Sequence, residues 1–472
     1  MIFSLVLTYK QYNVMLIRFS VENFLSFKDR IVFSMLPGKG TLKTSHKSKT
    51  IKGISTLKAS VIFGANASGK SNLIKAIDFG KTLILKGTKS EQLIKFQNFR
   101  LDSSTVVSNS RIEYEIQHNG KNYAYGFIFN SMEIVEEWLF EITNKTENKI
   151  FERNSLKKNI FDLEALFKKN KKEEQKQFLK FIAKSTPNNQ LFLTEIRTRK
   201  VKDNVSDITD LLNVIDWFQN SLKVIFPDDK YKEGVKSELN DDTKLLMTFQ
   251  ELLNYFDTGI DGICLEKVES ENMDIPAKLL EVIKEDLLNK KSENRRSIVS
   301  NGNATYFISK INDDIEVQKF MTKHKIKGKT EPALFDTSDE SDGTNRIIDF
   351  IPLIIDLLQG DNVFIIDEME RSLHPNLIYD LFDLFLEKSE NINSQLITAS
   401  HESSLLTQKL LRKDEIWFTV KNHEGASHIH SLEEYNIRFD KEIRKNYLLG
   451  RFKAVPRIGD RNKLTVLPNQ NN

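Results

Sequence analysis

Eight consecutive residues, Gly64-Ala65-Asn66-Ala67-Ser68-Gly69-Lys70-Ser71, fit the pattern G-x-x-x-x-G-K-[ST]. Glycines at those places let backbone N–H groups wrap a phosphate chain. Lys70 then brings a positive charge to the β- and γ-phosphates, and Ser71 offers a hydroxyl to Mg²⁺. A second group follows far along the chain. Val363-Phe364-Ile365-Ile366-Asp367-Glu368 is an apolar run ending in two acids. Asp367 there would hold the metal, directly or through water, and Glu368 would polarise an attacking water. A third run, Leu396-Ile397-Thr398-Ala399-Ser400, ends at His401, which could point at a γ-phosphate. A fourth, Ser341-Asp342-Gly343-Thr344, precedes an apolar helical stretch, where N–H groups and a hydroxyl can meet an anion. Each has a plain structural alternative: a glycine-rich turn, a strand ending in a charged turn, a surface histidine, an ordinary helix cap. The last is balanced evenly between the two readings. The other three gain weight from one another.

These residues need elements to hold them. Ala59–Phe63 reads as a buried strand running into the loop, and Ser71–Leu85 as a helix with Leu73, Ile74, Ile77 and Leu85 on its apolar side. Asn362–Ile366 and Gln395–Ala399 read as buried parallel strands with a helix over Pro375–Lys388 between them. Ligands bind beyond the carboxyl ends of such strands. Leu16–Glu22 alternates and can pair with Ile31–Met35; Arg111–Thr143 is β-rich, with a hairpin signal at Asn119-Gly120. Thr305–Ile311 and Ile315–Phe320 alternate, whereas Lys244–Phe256, Lys278–Leu288 and Ile347–Leu358 have helical spacing. The expected division is 1–160 for an N-terminal half, 161–335 for a mainly helical inserted lobe, 336–456 for a C-terminal half, and 457–472 for a polar tail.

The chain has 472 residues, 29% of them charged, and a net charge of +3. That balance makes no case for a nucleic-acid or membrane partner by itself. No apolar run is long enough to span a bilayer, so no membrane association is expected. The single cysteine, Cys264, can form neither an internal disulfide nor a zinc cage and suits a reducing cytosol, so a cytoplasmic location is expected. Met1–Leu7 lacks the features of a signal peptide, and Met15 is an alternative start.

The order of these elements resembles the ABC-type ATPase heads of the SMC, RecF and OLD families, over roughly residues 16–100 and 336–455. Val21-Glu22-Asn23-Phe24-Leu25-Ser26-Phe27 is similar to the opening of RecF and SMC heads. The variant S-D-G-T at 341–344 and the late Tyr447-Leu448-Leu449-Gly450-Arg451-Phe452 followed by Pro456 resemble a prokaryotic, defence-associated subgroup related to OLD. AriA of PARIS, PtuA of Septu and the RloA-like ATPases are its neighbours.

The resemblance implies an α/β fold: a P-loop ABC-ATPase head with an antiparallel β subdomain and a mostly helical inserted lobe. It implies ATP and Mg²⁺ as ligands, with Gly64–Ser71 on the triphosphate, Ser71 and Asp367 on the metal, Glu368 as general base and His401 as sensor of the γ-phosphate. Ser341 and Gly343 would reach a nucleotide held by a second copy, so a homodimer or higher homo-oligomer is implied, with slow turnover. Arg371-Ser372-Leu373-His374-Pro375 would lie at the subunit boundary. Gln97 is the candidate coupling glutamine, with Gln92 competing. Unlike OLD proteins, the chain after His401 has no grouped acidic residues of a nuclease; Asp414-Glu415 and Asp440 form no such cluster. The expected effector is therefore a separate toxin or nuclease. DNA or a phage protein is a further candidate partner. A RecF-like DNA clamp is the alternative, with Lys168–Lys180 and Arg295-Arg296 as its basic contacts, and a scaffold of negligible turnover is a third reading.

Overall fold

A computed structural model of the chain describes residues 14–456, apart from 90, 240, 270–272, 274, 290–295, 302–303, 312–313, 389–391 and 436–442. Met1–Leu7, Arg295, Asp440 and the expected tail lie outside the described residues. The chain forms two compact units. The first comprises Met1–Pro227, Gln359–Met369 and Phe382–Asn472; the second comprises Asp228–Leu358 and Glu370–Leu381.

The first unit holds two sheets. Its six-stranded sheet runs in the order Ser427–Ser431, Ile416–Lys421, Ala59–Gly64, Gln395–Ala399, Val363–Asp367, Leu222–Ile225. All neighbours are parallel except the outermost hairpin, Ile416–Lys421 with Ser427–Ser431. Every residue of the strands Ala59–Gly64, Val363–Asp367 and Gln395–Ala399 is buried. Such continuous apolar runs suit a sheet covered on both faces. The second sheet is antiparallel and seven-stranded, in the order Ile31–Ser34, Met15–Glu22, Ser110–His118, Lys121–Phe129, Ile134–Ile142, Glu147–Asn154, Phe161–Asp162. Asn119 and Gly120 join two of these strands with φ of 49° and 75°, the left-handed pair that a tight two-residue hairpin turn requires.

The helix Lys70–Lys86 shares the core of this unit with residues of both sheets, through Leu73, Ile74, Ile77, Leu83 and Ile84. The Tyr114 hydroxyl of the antiparallel sheet donates to the Ile77 carbonyl of that helix at 2.7 Å. Buried Gln395 ties the sheets together: its amide accepts from Leu16 N and donates to the carbonyls of Leu16 and Leu57.

The segment 161–335 departs from the expected lobe. Residues up to Pro227 belong to the first unit and carry the helices Glu164–Lys169, Glu173–Ser185, Phe192–Thr198 and Thr209–Asp216. The short strand Leu222–Ile225 then pairs in parallel with Val363–Asp367 and anchors the segment to the central sheet. The second unit holds the helices Thr243–Tyr255 and Ala277–Asn289, and also a five-stranded antiparallel sheet, Gly262–Lys267, Asp314–His324, Ala304–Ile311 and Arg296–Asn301 with Ala333–Asp336 on the long strand. Its core gathers Leu280, Leu287, Tyr306, Ile308 and Val317.

One buried acid links the antiparallel sheet to the helix that carries the loop. Glu137 is fully buried and accepts from Phe192 N at 2.6 Å, Leu193 N at 3.1 Å and the Tyr125 hydroxyl at 2.9 Å. It thereby caps the helix Phe192–Thr198. Thr194 of that helix donates to the Ile84 carbonyl at 2.9 Å, and Arg197 donates to that of Leu85, at the end of Lys70–Lys86. Replacing Glu137 by Leu strands two N–H groups and a hydroxyl and is expected to cost roughly 3 kcal/mol. A lowered melting temperature checks this; an unchanged one shows that the cap contributes nothing.

Candidate functional site

The loop is set by one conformational requirement at its end. Gly69 has φ of 117°, a backbone state that disfavours side chains, and it immediately precedes the helix Lys70–Lys86. Gly64 has no room for a side chain either: a Cβ there would lie 2.3 Å from Thr419 Oγ1 and 2.7 Å from the Thr419 carbonyl. With these two places fixed, the loop turns over the carboxyl end of its strand and hands its N–H groups to the helix start, where the backbone dipole favours an anion.

Lys70 is 5% exposed. Its ammonium donates to the Gly64 carbonyl at 3.0 Å and the Ala65 carbonyl at 3.5 Å, and to His401 Nε2 at 2.8 Å. That last bond requires a neutral imidazole with its proton on Nδ1. The environment favours this state. Desolvation of the ring, and next the Lys70 charge, hold the His401 pKa below its ordinary 6.5, with the Glu368 and Asp367 carboxylates acting in the opposite sense.

Ser71 Oγ donates to Asp367 Oδ1 at 3.1 Å. Asp367 is 4% exposed, at the end of the central strand. Burial raises its pKa; the Ser71 hydrogen bond and the Lys70 charge oppose that shift, and the Glu368 charge adds to it. A buried carboxylate beside a hydroxyl is a fitting seat for a hard divalent cation, which takes oxygen ligands and commonly uses one carboxylate together with phosphate oxygens. Among the described residues no cluster of three or more His, Cys, Asp or Glu could hold a metal alone.

Glu368 leaves the strand with φ of 48°, and its N–H donates to the Ala399 carbonyl at 3.1 Å. A non-glycine residue held in that region is worth noting, because such strain gathers at functional sites. The adjacent strand delivers His401 two residues beyond Ala399, and Ser400 N donates to the Ile62 carbonyl. The loop, Asp367, Glu368 and His401 therefore meet at the carboxyl edge of three neighbouring parallel strands.

Sequence reasoning overlooked the support behind the loop. Ser68 Oγ lies 2.7 Å from Thr419 Oγ1. Ser427 Oγ donates to the Ser68 carbonyl at 2.7 Å and lies 2.8 Å from Ser26 Oγ, and Asn72 Nδ2 donates to the same Ser26 oxygen at 2.8 Å. The signal was present: Ile416-Trp417-Phe418-Thr419-Val420 has the aromatic and β-branched content of a strand.

The other expected residues stand elsewhere. Gln97 is exposed in a segment outside any helix or strand, and its carbonyl accepts from Leu25 N at 2.7 Å. Its rival Gln92 is also exposed, and its carbonyl accepts from Asn189 Nδ2. Neither side chain has a described hydrogen bond to Lys70, Asp367, Glu368 or His401. Ser341 and Gly343 belong to the second unit. Ser341 Oγ accepts from Thr344 N at 3.1 Å and so caps the helix Asp342–Gln359. Gly343 packs closely within the same unit: a Cβ there would lie 3.0 Å from the Ser372 carbonyl. Arg371 pairs with Asp228 at 2.5 Å, and His374 Nδ1 accepts from Asn376 N at the start of the helix Pro375–Lys388.

Among the described residues, no helix is long and apolar enough to cross a membrane. A family model described as "AAA domain, putative AbiEii toxin, Type IV TA system" matches residues 59–407, from the strand before the loop to just past His401. Among solved structures, the chain is similar to the SMC head domain from Thermotoga maritima, with 11% identity over 88% of this chain and 98% of that one and a TM-score of 0.36. It is also similar to an SMC head bound to the C-terminal winged-helix domain of ScpA, with 13% identity over 88% and 97% and a TM-score of 0.35. No curated protein matches the chain.

The Lys70–His401 contact generates a test. An imidazole with a depressed pKa binds protons more readily in the unfolded chain. Its contribution to stability is therefore present above pH 6.5 and lost as the pH falls through the lower folded value. In an NMR titration His401 is expected to titrate below 6.5, and Lys70→Met is expected to raise that midpoint. An unmoved midpoint in Lys70→Met means that the ammonium does not face the ring in solution.

Proposed function

The chain belongs to the AAA-domain family of the AbiEii type, and from that membership and the site's geometry we propose that it binds ATP with Mg²⁺ and hydrolyses it slowly. In this reading it is a nucleotide-dependent dimerising scaffold or sensor that controls a separate toxin or nuclease subunit in anti-phage defence. The observation that carries the ATP reading is the convergence of Lys70, Ser71, Asp367, Glu368 and His401 on one sheet edge beside an anion-ready helix start.

The residues have distinct tasks. The N–H groups of the loop and the Lys70 ammonium bind the triphosphate. Lys70 is already desolvated and held by two loop carbonyls, so little reorganisation is needed when phosphate oxygens become its partners. Ser71 and Asp367 hold Mg²⁺, which when bound supplies charge neutralisation at the phosphates. Glu368, turned out of the strand and half-buried, orients and polarises the attacking water. His401, neutral and able to accept from Lys70, reports the γ-phosphate by exchanging that contact.

Ser341 and Gly343 stand at the start of a long helix and can offer a hydroxyl and N–H groups to the γ-phosphate of a nucleotide held by a second copy. Such sharing makes ATP a ligand that favours the paired state, so that nucleotide occupancy biases an interface. The family description names a putative toxin of a type IV toxin–antitoxin system, and that wording favours a defence setting over a transporter role. Two of the cations first considered for the DNA-clamp alternative are already engaged within the chain. Lys169 is paired with Asp210, and Arg296 donates to Asp241 and to the Ser237 carbonyl.

Glu368→Gln keeps the shape and removes the base. It is expected to lower steady-state turnover about 100-fold or more while leaving ATP affinity within a few-fold. Lys70→Ala is expected to lose affinity itself. Full turnover in Glu368→Gln removes that residue from the role of base, and wild-type ATP affinity in Lys70→Ala removes the loop from nucleotide binding.

A further inference from the structure

One basic turn of the first unit has no part in the site above. Arg197-Thr198-Arg199-Lys200-Val201-Lys202 places four cations in six residues of a chain whose net charge is only +3. Three of them, Arg197, Lys200 and Lys202, line a cavity of about 440 Å³. That volume lies within the range of small-ligand sites.

The cations are not equally engaged. Arg199 is spent locally, on Glu195 at 2.6 Å and on Ser185. Arg197 is half-buried and oriented, with Nη1 on the Leu85 carbonyl at 2.7 Å and Nε on Gln219 Oε1 at 3.2 Å, and its Nη2 carries no described hydrogen bond. Lys200 and Lys202 are exposed and have no ion pair or side-chain hydrogen bond among the described residues. Lys200 has φ of 48°, at the turn from the helix Phe192–Thr198 into the next loop. Ile196, Leu212 and Ile215 give the same cavity an apolar part of its lining. Three cations and three aliphatic residues lining one cavity match a ligand with one phosphate-bearing end and one flat apolar end. Gln219, also in the lining, adds an amide for a polar edge of that flat group.

We propose that this cavity binds a phosphorylated small molecule of mononucleotide size, at a site separate from the phosphate loop. The phosphate sits among Lys200, Lys202 and the free edge of Arg197, and the base lies against Ile196, Leu212 and Ile215. A nucleic-acid strand fits less well. The cations are confined to one turn instead of forming a stripe along the surface. The site does not rest on the ATPase reading, because it shares no residue with the loop.

The test is calorimetric binding of AMP to the full chain. AMP lacks the β- and γ-phosphates that Lys70 would take. Expected is saturable binding that pyrophosphate displaces and that ribose 5-phosphate, lacking the base, matches at least fivefold more weakly. The double variant Lys200→Glu/Lys202→Glu should weaken AMP at least tenfold while ATP affinity stays unchanged, and Lys200→Arg/Lys202→Arg should retain AMP within about twofold. The proposal is overturned by no AMP binding at millimolar concentration, or by equal affinity in the charge-reversed variant. It is equally overturned if a single-stranded oligonucleotide, and not AMP, is what that variant loses.

Discussion

The Lys70 ammonium sits nearly out of reach of water, and a buried charge of that kind must be met by oriented dipoles or it will not remain charged. Here it is met by the Gly64 and Ala65 carbonyls of its own loop and by a neutral imidazole from the neighbouring strand. Those partners impose the rest. The loop must curl back over its strand, which needs the left-handed Gly69 and the narrow space at Gly64. His401 must arrive from a strand in register with Ala59–Gly64, and it must stay unprotonated. Asp367, one strand further along, is placed by the same parallel register to meet Ser71 in the first turn of the helix.

The loop is also braced from behind. Thr419, Ser427, Ser26 and Asn72 form a chain of short hydrogen bonds that grips Ser68 and reaches the first turn of the helix. At its far end the same helix is held by Thr194 and Arg197, themselves on an element capped by buried Glu137. A braced loop that leads into a helix held at its far end is pre-organised for an anion, and that limits the reorganisation binding requires. In the proposed cycle the part that responds to nucleotide is therefore less the loop than what its occupant can recruit: His401 on the neighbouring strand, and Ser341 and Gly343 of a second copy.

Much of this was legible in the residues. The loop, the two acids after an apolar strand, and His401 after another were found by type and spacing because each is local. The helix at Pro375–Lys388 was legible to its boundaries because Pro375 marks its first turn and apolar residues repeat along it. What escaped was non-local. Leu222–Ile225 is a four-residue strand directly after a run of helical segments, and only its pairing with Val363–Asp367 gives it a place in the central sheet. Gly262–Lys267 and Arg296–Asn301 likewise gain their identity from partners in the second unit's sheet, so a segment that reads as helical and charged contains a sheet. Arg296 looked like a free cation and is instead tied to Asp241 and Ser237. Charge runs say little until their partners are known.

The central claim is that this phosphate loop is half of a site completed by a second copy. Sedimentation velocity of the Glu368→Gln variant, with Mg²⁺ and either ATP or ADP, tests it most directly. The account predicts a shift from monomer to dimer, or from a smaller to a larger assembly, with ATP alone, and loss of that shift when Ser341 is also replaced by Arg. An identical sedimentation profile with ATP and with ADP, in protein shown to bind both, would contradict it.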